Sequence, residues 1–385
     1  MNKVKTIWMA AVMLLIFGAC SSDSSETQAP VLKIYVYAPG QPIPTRSVIE
    51  PTEEEKKVNS MTLWVYKSSD NKSQLGSITL TDKDLESLNS ENMGVYNMIV
   101  DEKFAKNPEP VDVYVLANVS YQNTGTTLGT TIANKTYLEN AEFNGGNYFK
   151  FVNPNNNKYY AVTKISDEGL PMSGVVRGKA VINQNAVLHM TDANLQLVRD
   201  ISKIRFVFSS VDNSYLYIDE VTLNKNLLYT SDYLFLNDEH PYFRVGTDLF
   251  NKEVVLVESL KDEKGPQYVN TCTDPRKYAY VSGMDETTYE AKIKEGLDNK
   301  ELTEAPTVYL PESDKRLTGT IYFHLGTESV ASRTASFMML NGDFRRNQTW
   351  IVYIYYSGSS KLDITSVKVT DWEDGGQTDH SLHNW

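Results

Sequence analysis

Apolar and polar residues alternate with a period of two along much of this 385-residue chain. In VLKIYVYA, residues 31–38, Leu32, Ile34, Val36 and Ala38 fall on one side and Lys33, Tyr35 and Tyr37 on the other. That pattern predicts a strand with one buried face, ended by Pro39-Gly40. Thr52 then caps a short helical turn, with Glu53–Glu55 near its positive end and Lys56-Lys57 behind. Strands follow at Met61–Tyr66 and Gly76–Thr81, and Val111–Asn118 (VDVYVLAN) is apolar enough for a central strand buried on both faces. The same signals predict strands at Val175–Ile182, Ala186–Met190, Leu195–Val198, Ile204–Ser209 and Tyr215–Leu223. The end of the chain adds Thr307–Leu310, Gly319–His324, Thr334–Leu340, Trp350–Tyr356 and Ile364–Val369. Residues 120–160, rich in Asn, Gly, Thr and Tyr, read as long loops with short helical pieces. Residues 224–305 read as irregular, with one helix at Glu286–Gly296.

Short strands divided by turn signals predict an all-β protein, and the length predicts two β-sandwiches in series, of transthyretin-like or Greek-key type, with short helical insertions. Their expected spans are 47–198 and 199–385. Composition supports this: 24 tyrosines, with many Val, Ile and Thr, favour pleated, half-buried surfaces. Apolar residues at 41% and charged ones at 22% are enough for a packed core. A formal charge of −12 argues against nucleic acid as a partner, because phosphates require a basic face.

The N-terminus stands apart from the fold. A basic stretch with Lys3 and Lys5 precedes the 11 apolar residues Ile7–Phe17, too few to span a bilayer of roughly 30 Å but right for a signal peptide at 1–19. Phe17-Gly18-Ala19-Cys20 resembles a bacterial lipobox, with Phe17 where leucine is usual, which makes Cys20 the lipidated first residue. Cys272 is then left without a disulfide partner, so core, sheet pairing or assembly must stabilise the exported chain.

Catalytic chemistry is not visible. His380 and His383 form an H-x-x-H beside Asp379 but lack a third ligand, and His189 and His324 lie inside strand patterns. Nucleophile-elbow, phosphate-loop, dinucleotide-loop and C-x-x-C motifs are missing from the sequence. The expectation is a non-enzyme with no cofactor and no metal.

Several segments together resemble the FimA-like fimbrillins, the subunits of type V pili. They are the lipobox at Phe17–Cys20, the Thr45-Arg46 step before an acidic segment, VYVLANV (Val113–Val119) and LPMSG (Leu170–Gly174). LQLVRDISKIRFVF (Leu195–Phe208), RRNQTWIVYIYY (Arg345–Tyr356) and ITSVKVTDW (Ile364–Trp372) complete the set. The resemblance implies a lipoprotein precursor at the outer membrane, cut by an arginine-specific protease between Arg46 and Ser47. Residues 20–46 then form a propeptide whose strand, with Leu32, Ile34 and Val36, is removable. A strand from another subunit, identical or different, would refill the slot. The candidate donor in this chain is 362–385, with Leu362, Ile364, Val367, Val369 and Trp372. Ile364 and Val367 are out of phase for one face unless a bulge intervenes. Loss of residues 1–46 moves the charge from −12 to −14, since four basic residues leave with two acidic ones.

The expected function is therefore a structural subunit of a cell-surface fimbrium, in the stalk or at the tip, serving adhesion to a host or bacterial surface. The polar, glycine-rich tail Glu373–His380 is unlike a donor strand, and a tip subunit need donate nothing. Two other readings are an uncleaved anchor or accessory lipoprotein and a glycan-binding surface lipoprotein, for which Tyr148, Tyr159 and Tyr160 would be stacking platforms.

Overall fold

The computed structural model describes residues 30–38, 52–72, 74–81, 83–119, 134–144, 149–153, 158–182, 188–191, 195–237, 244–262, 265–339, 344–359 and 361–371. The signal segment, Cys20, Arg46, Ser47, Tyr148 and Trp372 lie outside them. Strands dominate, and the fold is all-β.

The first sheet is built from β1 (Val31–Tyr37), β2 (Met61–Lys67), β3 (Gln74–Leu80), β4 (Met93–Ile99) and β5 (Pro110–Ala117). After the hairpin of β6 (Phe149–Asn153) and β7 (Lys158–Ala161), β8 (Met172–Ile182) and β9 (Leu188–Thr191) return to it. Its order in space is β4-β1-β9-β8-β5-β2-β3, with the short strand Leu195–Gln196 continuing the edge of β9 along β1. The sheet curls until its end strands meet: a Cβ on Gly76 of β3 would lie 2.8 Å from Met98 Sδ of β4. Three short helices, α1 (Glu53–Lys56), α2 (Glu86–Glu91) and α3 (Glu102–Lys106), join or flank its strands.

The chain passes to the other sheets at Asp200. The second contains β10 (Ile201–Val211), β13 (Val308–Pro311), β16 (Gln348–Tyr356) and β17 (Leu362–Asp371). The third runs β15-β14-β11-β12-β7-β6, from β11 (Leu216–Leu223), β12 (Val254–Glu258), β14 (Thr318–Leu325), β15 (Arg333–Met338) and the hairpin already named. The two sheets face each other across Phe206 and Phe337, whose rings meet edge to face at 6.1 Å. The outer side of the second sheet is not solvated. The 13-residue helix α5 (Glu286–Asp298), following α4 (Lys135–Glu139), lays Tyr289 and Ile293 onto Ile351, Tyr353 and Val367. For this reason β10 and β16 are buried on both faces and lack alternation.

Three strand regions differ from the sequence expectation. In β4 the inward residues alternate, but Val95 and Ile99 face outward at 41% and 69% exposure, which erases the polar half of the pattern. In β12, four apolar residues in a row are buried on both sides within a stretch otherwise polar. The β6–β7 hairpin forms inside 120–160, read from sequence as loop, and attaches parallel to β12 through Tyr159 and Tyr160.

Gly174 of LPMSG shows how closely the first sheet is packed. An added Cβ would stand 2.4 Å from the carbonyl oxygen of Gln196, a backbone atom in the short strand beside β1. Gly174→Ala should therefore lower the unfolding free energy by about 1–3 kcal/mol in chemical denaturation. Unchanged stability would show that this approach is not tight.

Candidate functional site: the slot filled by the first strand

β1 occupies an interior position in its sheet. On one side it pairs antiparallel with β4 along its whole length, from Val31↔Ile99 to Tyr37↔Met93. On the other it runs parallel to β9 through Leu32↔Leu188 and to the short strand through Val36↔Leu195. Leu32, Ile34, Val36 and Ala38 are at most 2% exposed and belong to the main core. Each of the three larger side chains contributes roughly 1.5–3 kcal/mol by leaving water. Hydrogen bonds close both ends: Val100 N donates to Pro30 O at 2.9 Å, Ala38 N to Asn92 O at 3.0 Å and Gln196 Nε2 to Ala38 O at 2.8 Å.

The neighbours of β1 depend on it unequally. β9 continues into β8, whereas β4 and the short strand Leu195–Gln196 have no strand partner other than β1 among the described residues. Taking β1 out would leave the facing backbone edges of β4 and β9 unpaired above an apolar trough.

The chain that follows β1 is fastened independently of it. Thr52 and Glu55 form a reciprocal capping box at the start of α1. The Glu55 carboxylate accepts from both Lys203 Nζ, at 3.1 and 3.2 Å, and Tyr309 OH at 2.9 Å, while Arg199 Nε donates to Glu55 O at 2.9 Å. Burial alone would raise the Glu55 pKa, but Lys203 and these donors hold it below the ordinary glutamate value. Asn118, in the left-handed region at φ 60°, wires the next turn. Its Oδ1 accepts from Asn59 N at 2.8 Å, and its Nδ2 donates to Lys57 O at 2.8 Å and Leu170 O at 2.9 Å.

A second buried cluster ties β8 to the strands beyond it. Arg346 donates from Nη1 to Asp200 at 2.8 Å and from Nε to Glu312 at 2.7 Å, and also reaches the carbonyls of Tyr233 and Leu234. Ser173 Oγ lies 2.6 Å from Asp200 Oδ1. Asp232 is the third carboxylate here; among the described residues its Oδ1 accepts from Gly246 N at 3.4 Å and its Oδ2 has no hydrogen-bond partner. Three buried carboxylates surround Arg346, whose charge Arg345 supplements at Glu312. Burial pushes the Asp200 pKa up to about 7, and burial with the nearby Glu312 raises that of Asp232 well above the ordinary value.

The candidate donor residues Leu362, Ile364, Val367 and Val369 lie on β17, which pairs with β16 from Tyr356↔Leu362 to Gln348↔Asp371. The register is regular from Ile364 to Lys368, so no bulge separates Ile364 from Val367; the shift between Thr349 and Trp350 comes later and leaves Val369 as the extra residue. Leu362 and Ile364 join the core between the second and third sheets, whereas Val367 packs under α5 on the opposite face. Tyr159 packs edge to face on Phe250 at 5.0 Å. Cys272 is buried with a free thiol. Among the described residues no group of three or more His, Cys, Asp or Glu could hold a metal ion, and no helix is long and apolar enough to cross a membrane.

No family model and no curated protein matches the chain. Solved structures do. The tip fimbrial protein Mfa3 of Porphyromonas gingivalis, truncated at its C-terminus, aligns with a TM-score of 0.50 at 11% identity over 88% of this chain and 99% of that one. A Parabacteroides distasonis protein whose proposed role is cell adhesion aligns with a TM-score of 0.54 at 15% identity over 89% and 97%. The fold is shared.

The two charge clusters predict opposite pH dependences. A carboxyl group with a raised native pKa stabilises the fold below its unfolded pKa, and that contribution is lost as pH rises through the native value. Glu55, with a lowered native pKa, contributes above its unfolded pKa and loses this as pH falls. Asp232→Asn should therefore raise stability at pH 8 by on the order of 1 kcal/mol and flatten its decline as pH rises above about 4, as read by urea denaturation. Lower stability of D232N at pH 8 would mean that the carboxylate is needed charged.

Proposed function

We propose that this chain is a subunit of a bacterial surface fimbria, exported as a lipoprotein on Cys20, cut between Arg46 and Ser47 and assembled by strand exchange. The observation that carries the reading is the position of β1: an interior strand that precedes the cut, with the chain beyond it fastened at Thr52–Glu55 without its help. Cleavage by an arginine-specific protease would free the lipid-bearing segment 20–46 and open the slot between β4 and β9. A strand of another subunit would restore both ladders and the pockets of Leu32, Ile34 and Val36. The subunit works without catalysis, at the cell surface and in adhesion, and its precursor is held to the outer membrane by the lipid. The shared fold with a tip fimbrial protein agrees with this role. We assign 47–198 to the domain that carries the slot and 199–385 to the domain on which α1 is anchored.

Within the polymer, a tip position is favoured over the stalk. β17 is committed on both faces, to the core through Leu362 and Ile364 and to α5 through Val367. Withdrawing it as a donor would uncover both. A tip subunit accepts a strand and keeps β17 in place.

Two outcomes test the reading. Arg46→Ala should leave a folded, lipidated precursor and abolish incorporation into sheared fimbriae, whose wild-type subunit should begin at Ser47 on N-terminal sequencing. Ile34→Ala should destabilise the uncut chain by about 2–5 kcal/mol and leave the assembled, cut subunit unaffected. Equal destabilisation of both forms would mean that β1 never leaves.

A further inference from the structure

A row of aromatic rings at one end of the third sheet has no part in the slot or the core. Tyr217 on β11 and His324 on β14 are register partners, and their rings stack at 4.6 Å with planes 1° apart. Tyr268 bridges to Tyr217 and turns its ring edge-on to it at 6.1 Å. Tyr215 in turn meets Tyr268 at 5.3 Å and 88°. Tyr215 and Tyr268 are 49% and 50% exposed. The row is held rigidly from below, because Asp219 Oδ2 lies 2.9 Å from His324 Nδ1 and accepts from Ala331 N at 2.9 Å.

The backbone of Tyr215 is the second observation. Its φ is +46°, a region that a bulky L-residue enters only with strain, and Gly326 N fixes it there by donating to Tyr215 O at 2.9 Å. Gly or Asn would relieve that strain. The half-exposed ring contributes little burial to offset it. What Tyr uniquely adds is a flat apolar face and a hydroxyl, set at right angles to the ring of Tyr268.

We propose that Tyr215 and Tyr268, backed by Tyr217 and His324, form a binding corner for a neutral pyranose of a surface glycan. The C–H face of one sugar ring stacks on one tyrosine while its hydroxyls bond the other phenol, a match to side chains with an apolar body and a polar tip. The two exposed rings carry no charge, Asp219 is engaged by His324, and the chain has a net charge of −12, which disfavours an acidic sugar. A strand-adding peptide is disfavoured because nearby backbone groups are already paired, Val269 N to Leu216 O at 2.8 Å and Gly326 N to Tyr215 O. The corner is complete in the uncut chain, so it does not depend on removal of β1.

Saturation-transfer NMR on the intact chain tests this, with the methyl glycosides of galactose, glucose, mannose and N-acetylglucosamine as probes and that of N-acetylneuraminic acid as the charged comparison. At least one neutral glycoside should show transfer concentrated on one C–H face. Tyr268→Ala should weaken its binding by about fivefold or more. Tyr215→Asn should abolish the same signal while melting at or above the wild-type temperature, because strain is released as the platform is lost. Absence of transfer from all four neutral glycosides, preference for the charged one, or binding retained in Y215N would each overturn the assignment.

Discussion

β1 is the strand on which the first sheet depends. It supplies the ladder on two sides at once and fills the sheet's interior with Leu32, Ile34, Val36 and Ala38. A strand at an edge could leave with little consequence. An interior one leaves two unpaired backbone edges and a trough that loses roughly 5–9 kcal/mol of apolar burial from its three larger residues. Such a slot is a strong acceptor for any extended segment with apolar residues at alternate positions. β4 bears much of the consequence, since among the described residues its ladder is made with β1 alone; Tyr96 and Met98 hold it to the core, Met98 against Gly76 of β3.

The surrounding structure is arranged so that this dependence stays local. Glu55, Lys203, Tyr309 and Arg199 join the start of α1 to strands β10 and β13, and Asn118 joins the turn after α1 to β5 and to Leu170. Arg346 then gathers Asp200, Glu312 and the carbonyls of Tyr233 and Leu234. Burying these charges is unfavourable unless each finds its partner, and removing one partner is worse than never having had the pair. Geometry is thereby fixed more firmly than by apolar contact alone. Asp232, one of whose oxygens has no hydrogen-bond partner among the described residues, is where that fixation is incomplete.

Most of the fold was legible where one face of a strand is buried and the other wet. β1 alternates in sequence and in burial along its whole length, and β14 does so over Thr318–Phe323. The all-β class follows from such strands and their turns. β4 was hidden because Val95 and Ile99 face outward, and β12 because it is apolar on both sides. Local patterning carries no information about pairing, so the interior position of β1 could not be read from VLKIYVYA. Arg199 and Lys203 interrupt the apolar run Leu195–Phe208, whereas Arg346 lies in the polar stretch Arg345–Gln348 and gives no such signal. Their partners Glu55 and Glu312 lie more than thirty residues away in each case and could not be named. The phase conflict between Ile364 and Val367 was visible in sequence, and the structure resolves it by using both faces of the strand, without a bulge between the two.

Hydrogen exchange offers the most direct test that β1 is replaceable while the rest of the fold persists. The purified chain is cut at Arg46, the released segment is removed, and amide exchange is followed by mass spectrometry. Residues 93–99 and 188–196 should lose protection while β10 and β16 keep theirs, and a synthetic VLKIYVYA peptide should restore it. Unchanged protection of 93–99 after the cut, or loss of protection throughout the chain, would contradict the proposed strand exchange.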